Sequence, residues 1–305
     1  MAVWTQVVGT ATLFAGSPLL WGLTQKVKAR LQGRRGSPVW QMYWVIVKNW
    51  RKETTVPEHS SWVFRIAPSV SMAALSTGLA MVPAGGAPPS GWPHDLLVVF
   101  FLLALERFWV GLAGMDSAGT FGGLGASRVT TLGTGIEPAL LAAFGVLWQV
   151  SGHTAIAPLA QGLSDVPGGG LPWVMAASSF GLVLLAELGR LPVDNPDTHL
   201  ELTMIHEATI LEASGRLLSL WQWAMTLKLT LLLSLGWAIL GPPWGSNPWV
   251  NLGLRCGELA ATAVVLGWVE SRFTKLRYLQ LPTYTAVAAG VGVLALFLVA
   301  GGFGV

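Results

Sequence analysis

The chain has 305 residues, 52% of them hydrophobic and 11% charged, with a net charge of +3 at pH 7 and a mean hydropathy of +0.58. Soluble domains carry about 25% charged residues, and repeated apolar runs near the length that crosses a bilayer core (about 20 residues) predict an all-α polytopic membrane protein instead. The single cysteine, Cys256, excludes an internal disulfide and leaves a structural zinc site or an ordinary iron–sulfur cluster within this chain unsupported.

Eight spans are expected, near residues 2–23, 62–82, 94–114, 135–152, 171–190, 217–241, 248–271 and 283–304, bounded by Gly- and Pro-rich stretches. The bases of the first span follow its apolar stretch, so it reads as a membrane helix rather than a cleavable signal. The connection 24–61 carries Lys26, Lys28, Arg30, Arg34, Arg35, Lys48, Arg51 and Lys52. Within it, "PVWQMYWVIVKNW" predicts an amphipathic helix lying in the interface, with Trp40, Tyr43, Trp44 and Trp50 at the membrane surface. The connection 115–134 has Arg128, the loop 191–216 has Arg216 at its edge, and 272–282 has Arg272, Lys275 and Arg277. The intervening connections hold no Lys or Arg. By the positive-inside rule both termini lie outside and the four basic connections are cytoplasmic loops. The basic pI of about 9.2 is therefore mostly a topology signal, not a nucleic-acid footprint. No internal repeat is visible, which weighs against an inverted-repeat transporter.

Ionisable groups stand where a membrane makes them costly. Glu106 and Arg107 fall in the middle of span three, "FFLLALERFWVGLAG". Glu137 opens span four, Glu187 lies near the end of span five, and Lys228 and Glu258 lie inside spans six and seven. Each has an ordinary explanation. Glu106 and Arg107 point in different directions on a helix and each is free to pair with another span. Glu137 and Glu187 are near enough to span ends to meet interfacial water, Lys228 has a stem long enough to snorkel, and Glu258 has Arg255 one turn away. As a set they also describe a proton relay running from mid-membrane to the cytoplasmic face, because burial and neighbouring carboxylates raise carboxyl pKa values.

The segment "ELGRLPVDNPDTHLELTMIHEATILEASGR" (187–216) gathers six of the 15 acids, Glu187, Asp194, Asp197, Glu201, Glu207 and Glu212, against Arg190 and Arg216. A solvated acidic face is the default for such a run. Leu200, Leu202, Met204, Ile205, Ile210 and Leu211 interrupt it, so part of the loop is expected to pack. His199 and His206 with a Glu offer a metal-like set, but the sequence assigns no metal, cofactor or catalytic residue to this chain.

Three blocks, "KVKARLQGRRGSPVWQMYWVIVKNWRKE" (26–53), "RFWVGLAGMDSAGTFGGLGASRVTTLGTGIEPALL" (107–141) and the acidic loop ending in "LEASG", then "VESRFTKLRYLQLP" (269–282), resemble the complex I subunit 1 family. The resemblance covers nearly the whole chain. It is strongest to the branch found in membrane-bound NiFe hydrogenases and formate hydrogenlyase, since "RLPVDNPDTHLEL" is closer to that branch than to the quinone-reducing one.

The resemblance implies a non-redox membrane subunit in a bacterial or archaeal cytoplasmic membrane. Its loops would dock hydrogenase-like large and small subunits and Fe-S subunits, which carry the clusters and the Ni-Fe centre. Its carboxylates would pass the effect of redox chemistry to antiporter-like membrane subunits, moving protons or sodium. Carried over residue by residue, this gives a path through Glu137, Glu187, Asp194, Glu201, Glu207 and Glu212, with Arg190 at the loop's entrance and Arg34 and Arg35 docking; Arg277 joins the docking set. Asp197, Glu106 and Glu258 are further path candidates, and Arg107, Arg128, Arg216 and Lys228 are charge partners. The sequence departs from the family at Val129, where Ser-Arg is commonly followed by Glu. Glu106 or Glu137 is the substitute the sequence offers. Three alternatives stay open: a quinone-chamber subunit of a complex I-like dehydrogenase, an independent proton-coupled transporter, and a purely structural anchor.

Overall fold

The computed structural model describes residues 2–86, 88–159, 170–194, 204–241, 245 and 247–301. Its helices are α1 (Ala2–Leu31), α2 (Gln41–Trp50), α3 (Trp62–Met81), α4 (Leu96–Asp116), α5 (Thr120–Ser151), α6 (Leu171–Glu187), the single turn α7 (His206–Thr209), α8 (Gly215–Leu240), α9 (Pro248–Arg272) and α10 (Leu281–Ala300). Among the described residues seven helices are long and apolar enough to cross a membrane, and α6 is a shorter apolar helix beside them. The protein is an all-α polytopic membrane protein.

Side-chain anchors fix how the helix ends meet. On the side bearing the basic loops, the Asp116 carboxylate at the end of α4 accepts from the Ser61 and Phe64 amides at the start of α3, at 2.8 and 3.0 Å. Ser214, before α8, accepts from the Thr55 amide at 2.8 Å. On the opposite side, Asp95 caps α4 by accepting from the Leu97 amide at 2.8 Å and binds the Thr154 hydroxyl at 2.6 Å. The first amides of a helix have no partner within it, and these side chains supply one for α3 and α4.

α8 is apolar on every face between Leu227 and Leu235 apart from Lys228, Thr230 and Ser234, and all of these residues are buried. A helix that is hydrophobic all round belongs inside a bundle, and α8 runs at its centre, packed against α1 and α3. α10 lies against α5 and α6, and α1 runs along α9. Trp40 just before α2 and Trp44 and Trp50 on it have 59%, 64% and 47% of their surface exposed, while Ile46 and Asn49 face the bundle.

Two boundaries differ from the sequence reading. The stretch 115–134, expected as a loop, is helical from Thr120, so Arg128 and Glu137 ride on one 32-residue helix. Its glycines are contact points rather than breaks: a Cβ on Gly125 would sit 2.8 Å from the Thr209 amide of α7. Likewise α1 continues past residue 23 to Leu31, because Gln25–Leu31 is built from good helix formers that carry the helix out of its apolar stretch.

Candidate functional site

Five ionisable side chains from four helices meet inside the bundle. Arg107 of α4 donates from Nη1 to Glu137 Oε1 of α5 at 2.5 Å and from Nη2 to Glu187 Oε2 of α6 at 2.6 Å. Lys228 of α8 donates to Glu106 Oε2 of α4 at 2.6 Å, and its Nζ lies 2.8 Å from Glu187 Oε1. The order is therefore Glu137, Arg107, Glu187, Lys228, Glu106, with acid and base alternating. Glu187 is the hub, one oxygen on each cation, and its side chain is 1% exposed. Glu137 is the open end, with 43% of its side chain exposed.

The local sequence makes this geometry. Glu106 and Arg107 are adjacent, so about 100° of helix rotation separates them and each reaches a different neighbour. Arg107 crosses α5 at Gly133, where an added Cβ would lie 2.9 Å from Arg107 Cδ. Lys228 does not snorkel; it is 7% exposed and points into the bundle. Three carboxylates face two cations. With all five groups ionised the array carries one net negative charge, and it opens toward solvent at Glu137.

A cavity of about 40 Å³ joins this array to the loop, lined by Glu106, Glu187 and Lys228 on one side and by His206, Thr209 and Ile210 on the other. A cavity needs only about 10–15 Å³ of such space to hold a water, so this one admits water among polar groups.

Beyond the cavity lies the loop anchor. Asp194 Oδ1 accepts from Lys275 Nζ at 2.6 Å, and Oδ2 accepts from the Ile205 and His206 amides at 3.2 Å each. The His206 ring approaches the same carboxylate at 3.5 Å. Gly189 makes room for that ring: its φ is +57°, and a Cβ there would sit 2.5 Å from His206 Nδ1. Burial pushes the Asp194 carboxyl up, but the hydrogen bond and charge of His206 and the Lys275 ammonium outweigh it and hold the pKa at about 2, below the ordinary 3.8.

A folded-state pKa below the unfolded one means stability that is present above the unfolded value and lost as pH falls through the folded one. The gap from 3.8 to about 2 is worth about 2 kcal/mol. We expect the purified protein to lose about 2 kcal/mol of stability between about pH 4 and pH 2 from this group. Asp194→Asn should lack that acid-dependent loss and start lower at neutral pH; denaturation followed across this pH range checks it.

A second buried cluster holds the loop's entrance. Arg190 is fully buried and donates to Glu270 Oε1 of α9 at 2.6 Å. Lys28 of α1 lies 3.2 Å from Glu270 Oε2, and the Arg190 guanidinium stacks over the Trp21 ring at 3.9 Å.

The other sequence candidates are placed as follows. Glu258 pairs with Arg255 one turn away on α9 at 3.2 Å, and none of the contacts above joins it to the array. Arg128 donates to the Met204 carbonyl at 2.6 Å and so holds the loop. Glu207 is half-buried on α7, Glu212 is exposed against Gly119, and Arg216 is exposed at the start of α8. Arg34, Arg35 and Arg277 are exposed. Val129 is 2% exposed in the apolar core. Asp197, His199 and Glu201 lie outside the described residues, and among the described residues no three His, Cys, Asp or Glu side chains group as a metal site would require. Sequence reasoning missed Lys28, Glu270, Lys275 and the role of His206. A signal for Lys28 was present, since Ser17, Thr24 and Lys28 lie on one buried helical face of α1.

Comparison with known proteins agrees with this architecture. The NADH dehydrogenase family model matches residues 4–300. Formate hydrogenlyase subunit 4 of Escherichia coli K12 is 30% identical over 306 residues, covering 97% of this chain and 98% of the relative. Hydrogenase-4 component C of the same organism is 32% identical over 249 residues, covering 81% of this chain and 77% of the relative. A chain in the structure of the membrane-bound sulfane sulfur reductase, an archaeal respiratory membrane complex, superposes with a TM-score of 0.81 at 20% identity, over 97% of this chain and all of that one, which speaks to the fold alone. The match over nearly the full length places the chain in the NADH dehydrogenase subunit 1 family.

Proposed function

We propose that this chain is the membrane subunit of a hydrogenase-type respiratory complex, on which a peripheral electron-transfer arm stands, and that its buried array couples redox chemistry to proton movement. The observation that carries the reading is continuity. An alternating acid–base chain runs from the half-exposed Glu137 through Glu187 to a water-sized cavity, and that cavity is lined by His206 of the loop. The side bearing the basic loops faces the cytoplasm in this reading, which puts the loop under the arm.

The chemistry follows from the hub. With Glu187 ionised, Arg107 and Lys228 are both held inward. A proton reaching Glu187 from the cavity removes its charge, and Arg107 is then bound only by Glu137 while Lys228 is bound only by Glu106. Each cation is then left with its outer carboxylate alone, so the negative charge of the array sits on Glu106 and on Glu137 at the open end. Movement of the loop acts on the same step, since His206 lines the cavity and is tied to Asp194. Glu137 occupies the same helix as Val129, two turns further on, and takes the place of the carboxylate that the related proteins commonly carry after Ser-Arg.

Cluster and Ni-Fe chemistry belongs to partner subunits in this reading, and the carboxylates move only protons. A quinone chamber fits the described residues poorly. Among the described residues the cavity between the array and the loop is about 40 Å³, against roughly 300–1,000 Å³ for small-molecule sites.

Purifying the tagged chain in mild detergent and measuring co-purifying metals tests the assignment. Nickel and iron at stoichiometric levels are expected. Iron without nickel points to a complex I-like arm of another kind, and an active preparation with neither metal overturns the proposal.

A further inference from the structure

The array uses no residue of α1, and one face of that helix borders a groove. There Thr12, Gly16, Leu19 and Leu23 line an apolar groove of about 310 Å³, closed on the other side by Leu259 and Ala260 of α9. The four α1 positions follow a three-and-four spacing, so they form one stripe on the helix. Continued, that stripe runs through Lys26 and Arg30. Those two residues line a basin of about 680 Å³ together with Arg34 and Arg35. The apolar slot therefore ends at Leu23, one helical turn before Lys26, where an exposed basin of four cations begins.

The basin is a built feature. Arg34 donates its amide to the Ala29 carbonyl at 2.8 Å and Gly33 to Arg30 at 3.1 Å, folding the chain back over the end of α1. Gly33 and Gly36 supply the left-handed φ of +74° and +65° that the turn requires. Lys26 Nζ then donates to the Arg35 carbonyl at 2.9 Å. At the groove's upper end Gly22 lets the Val39 carbonyl press against α1, where a Cβ would be 1.8 Å away. The depth is also right. Lys26 lies about 4.5 Å along the helix from Leu23 and Arg30 about 10 Å, which spans a headgroup layer of about 5–7 Å on each side of the hydrocarbon. Exposed Trp40 and Trp44 on the neighbouring α2 mark the same level.

We propose that this groove and basin hold one anionic phospholipid, its phosphate among Lys26, Arg30, Arg34 and Arg35 and one acyl chain between α1 and α9. Charge complementarity, and the succession of slot and basin along one stripe of α1, select this occupant. An acidic partner surface would use the basin and leave the slot without purpose. Arg34 and Arg35 are thereby lipid ligands rather than docking residues.

The test quantifies phospholipid retained per chain by mass spectrometry after purifying the intact complex in mild detergent. Wild type should retain phosphatidylglycerol or cardiolipin in preference to phosphatidylethanolamine. Each basic side chain near the surface contributes about fivefold, so Arg34→Ala with Arg35→Ala should weaken binding about 25-fold. Gly16→Leu should also expel the lipid, because a Cβ there meets only open space and the side chain fills the slot without disturbing the fold. Should the arginine variant fail to assemble, wild type in nanodiscs decides. Cys256 is exposed and lines the groove, so its alkylation should slow with phosphatidylglycerol and not with phosphatidylcholine. Equal retention in all variants, equal retention of neutral lipid, or loss of a peripheral subunit with the lipid still bound would overturn the proposal.

Discussion

Lys228→Met is expected to destabilise the protein by about 3–5 kcal/mol, the usual cost of removing one partner from a buried ion pair. Lys228 is 7% exposed and serves two carboxylates, Glu106 at 2.6 Å and Glu187 at 2.8 Å. Methionine matches its volume, so packing is kept and the loss is electrostatic. Glu187 keeps Arg107, while Glu106 loses the cation it bonds and is left charged inside the bundle. Glu106→Gln in the Lys228→Met background removes that charge and should recover most of the loss. Thermal denaturation of the four members of this cycle in detergent measures the coupling. A double variant no better than Lys228→Met would show that Glu106 and Lys228 act independently.

Arg190→Leu carries an effect of similar size through different contacts. Arg190 is fully buried, and its partner Glu270 is 1% exposed. Glu270 keeps Lys28, at 3.2 Å, as a remaining cation. The loss is therefore nearer the lower end of the range, about 3 kcal/mol, of which stacking on Trp21 supplies about 1 kcal/mol. Because Arg190 sits at the loop's entrance, the variant should also loosen the Asp194 anchor four residues on. Hydrogen exchange at the Ile205 and His206 amides, which bond Asp194, reports this directly. Faster exchange there, with α8 unchanged, is the expected pattern; uniform acceleration would mean that the whole bundle has lost stability instead.

The helices were legible because their apolar length is imposed by the bilayer, a constraint written into every span. Glu106 and Arg107 stood out for the same reason, as charges in the middle of "FFLLALERFWVGLAG". Their partners did not. Which carboxylate meets which cation depends on helix rotation and on gaps such as Gly133, and neither is set by local sequence. Lys28 and Lys275 were absorbed into the topology count, since a base near a helix end satisfies the positive-inside pattern whether it faces water or protein. Glu270 closes span seven beside Arg272, and nothing local points to Arg190 and Lys28 as its partners. The Gly-rich start of α5 reads as a loop in isolation and becomes helix because small residues let α7 and Arg107 approach closely. Glu258 shows the converse: its position inside a span drew attention, yet the neighbour at i−3 supplies its partner.

The central claim is that Glu187 passes protons between the loop cavity and Glu137, and Glu187→Gln tests it most directly. Glutamine keeps the shape of the side chain and leaves Arg107 on Glu137 and Lys228 on Glu106, so the complex should still assemble. Reconstituted in liposomes and driven by a viologen donor, the variant complex should turn over while the number of protons moved per turnover falls toward zero. An assembled complex that moves as many protons per turnover as wild type would contradict the account and leave the array a structural tie between four helices.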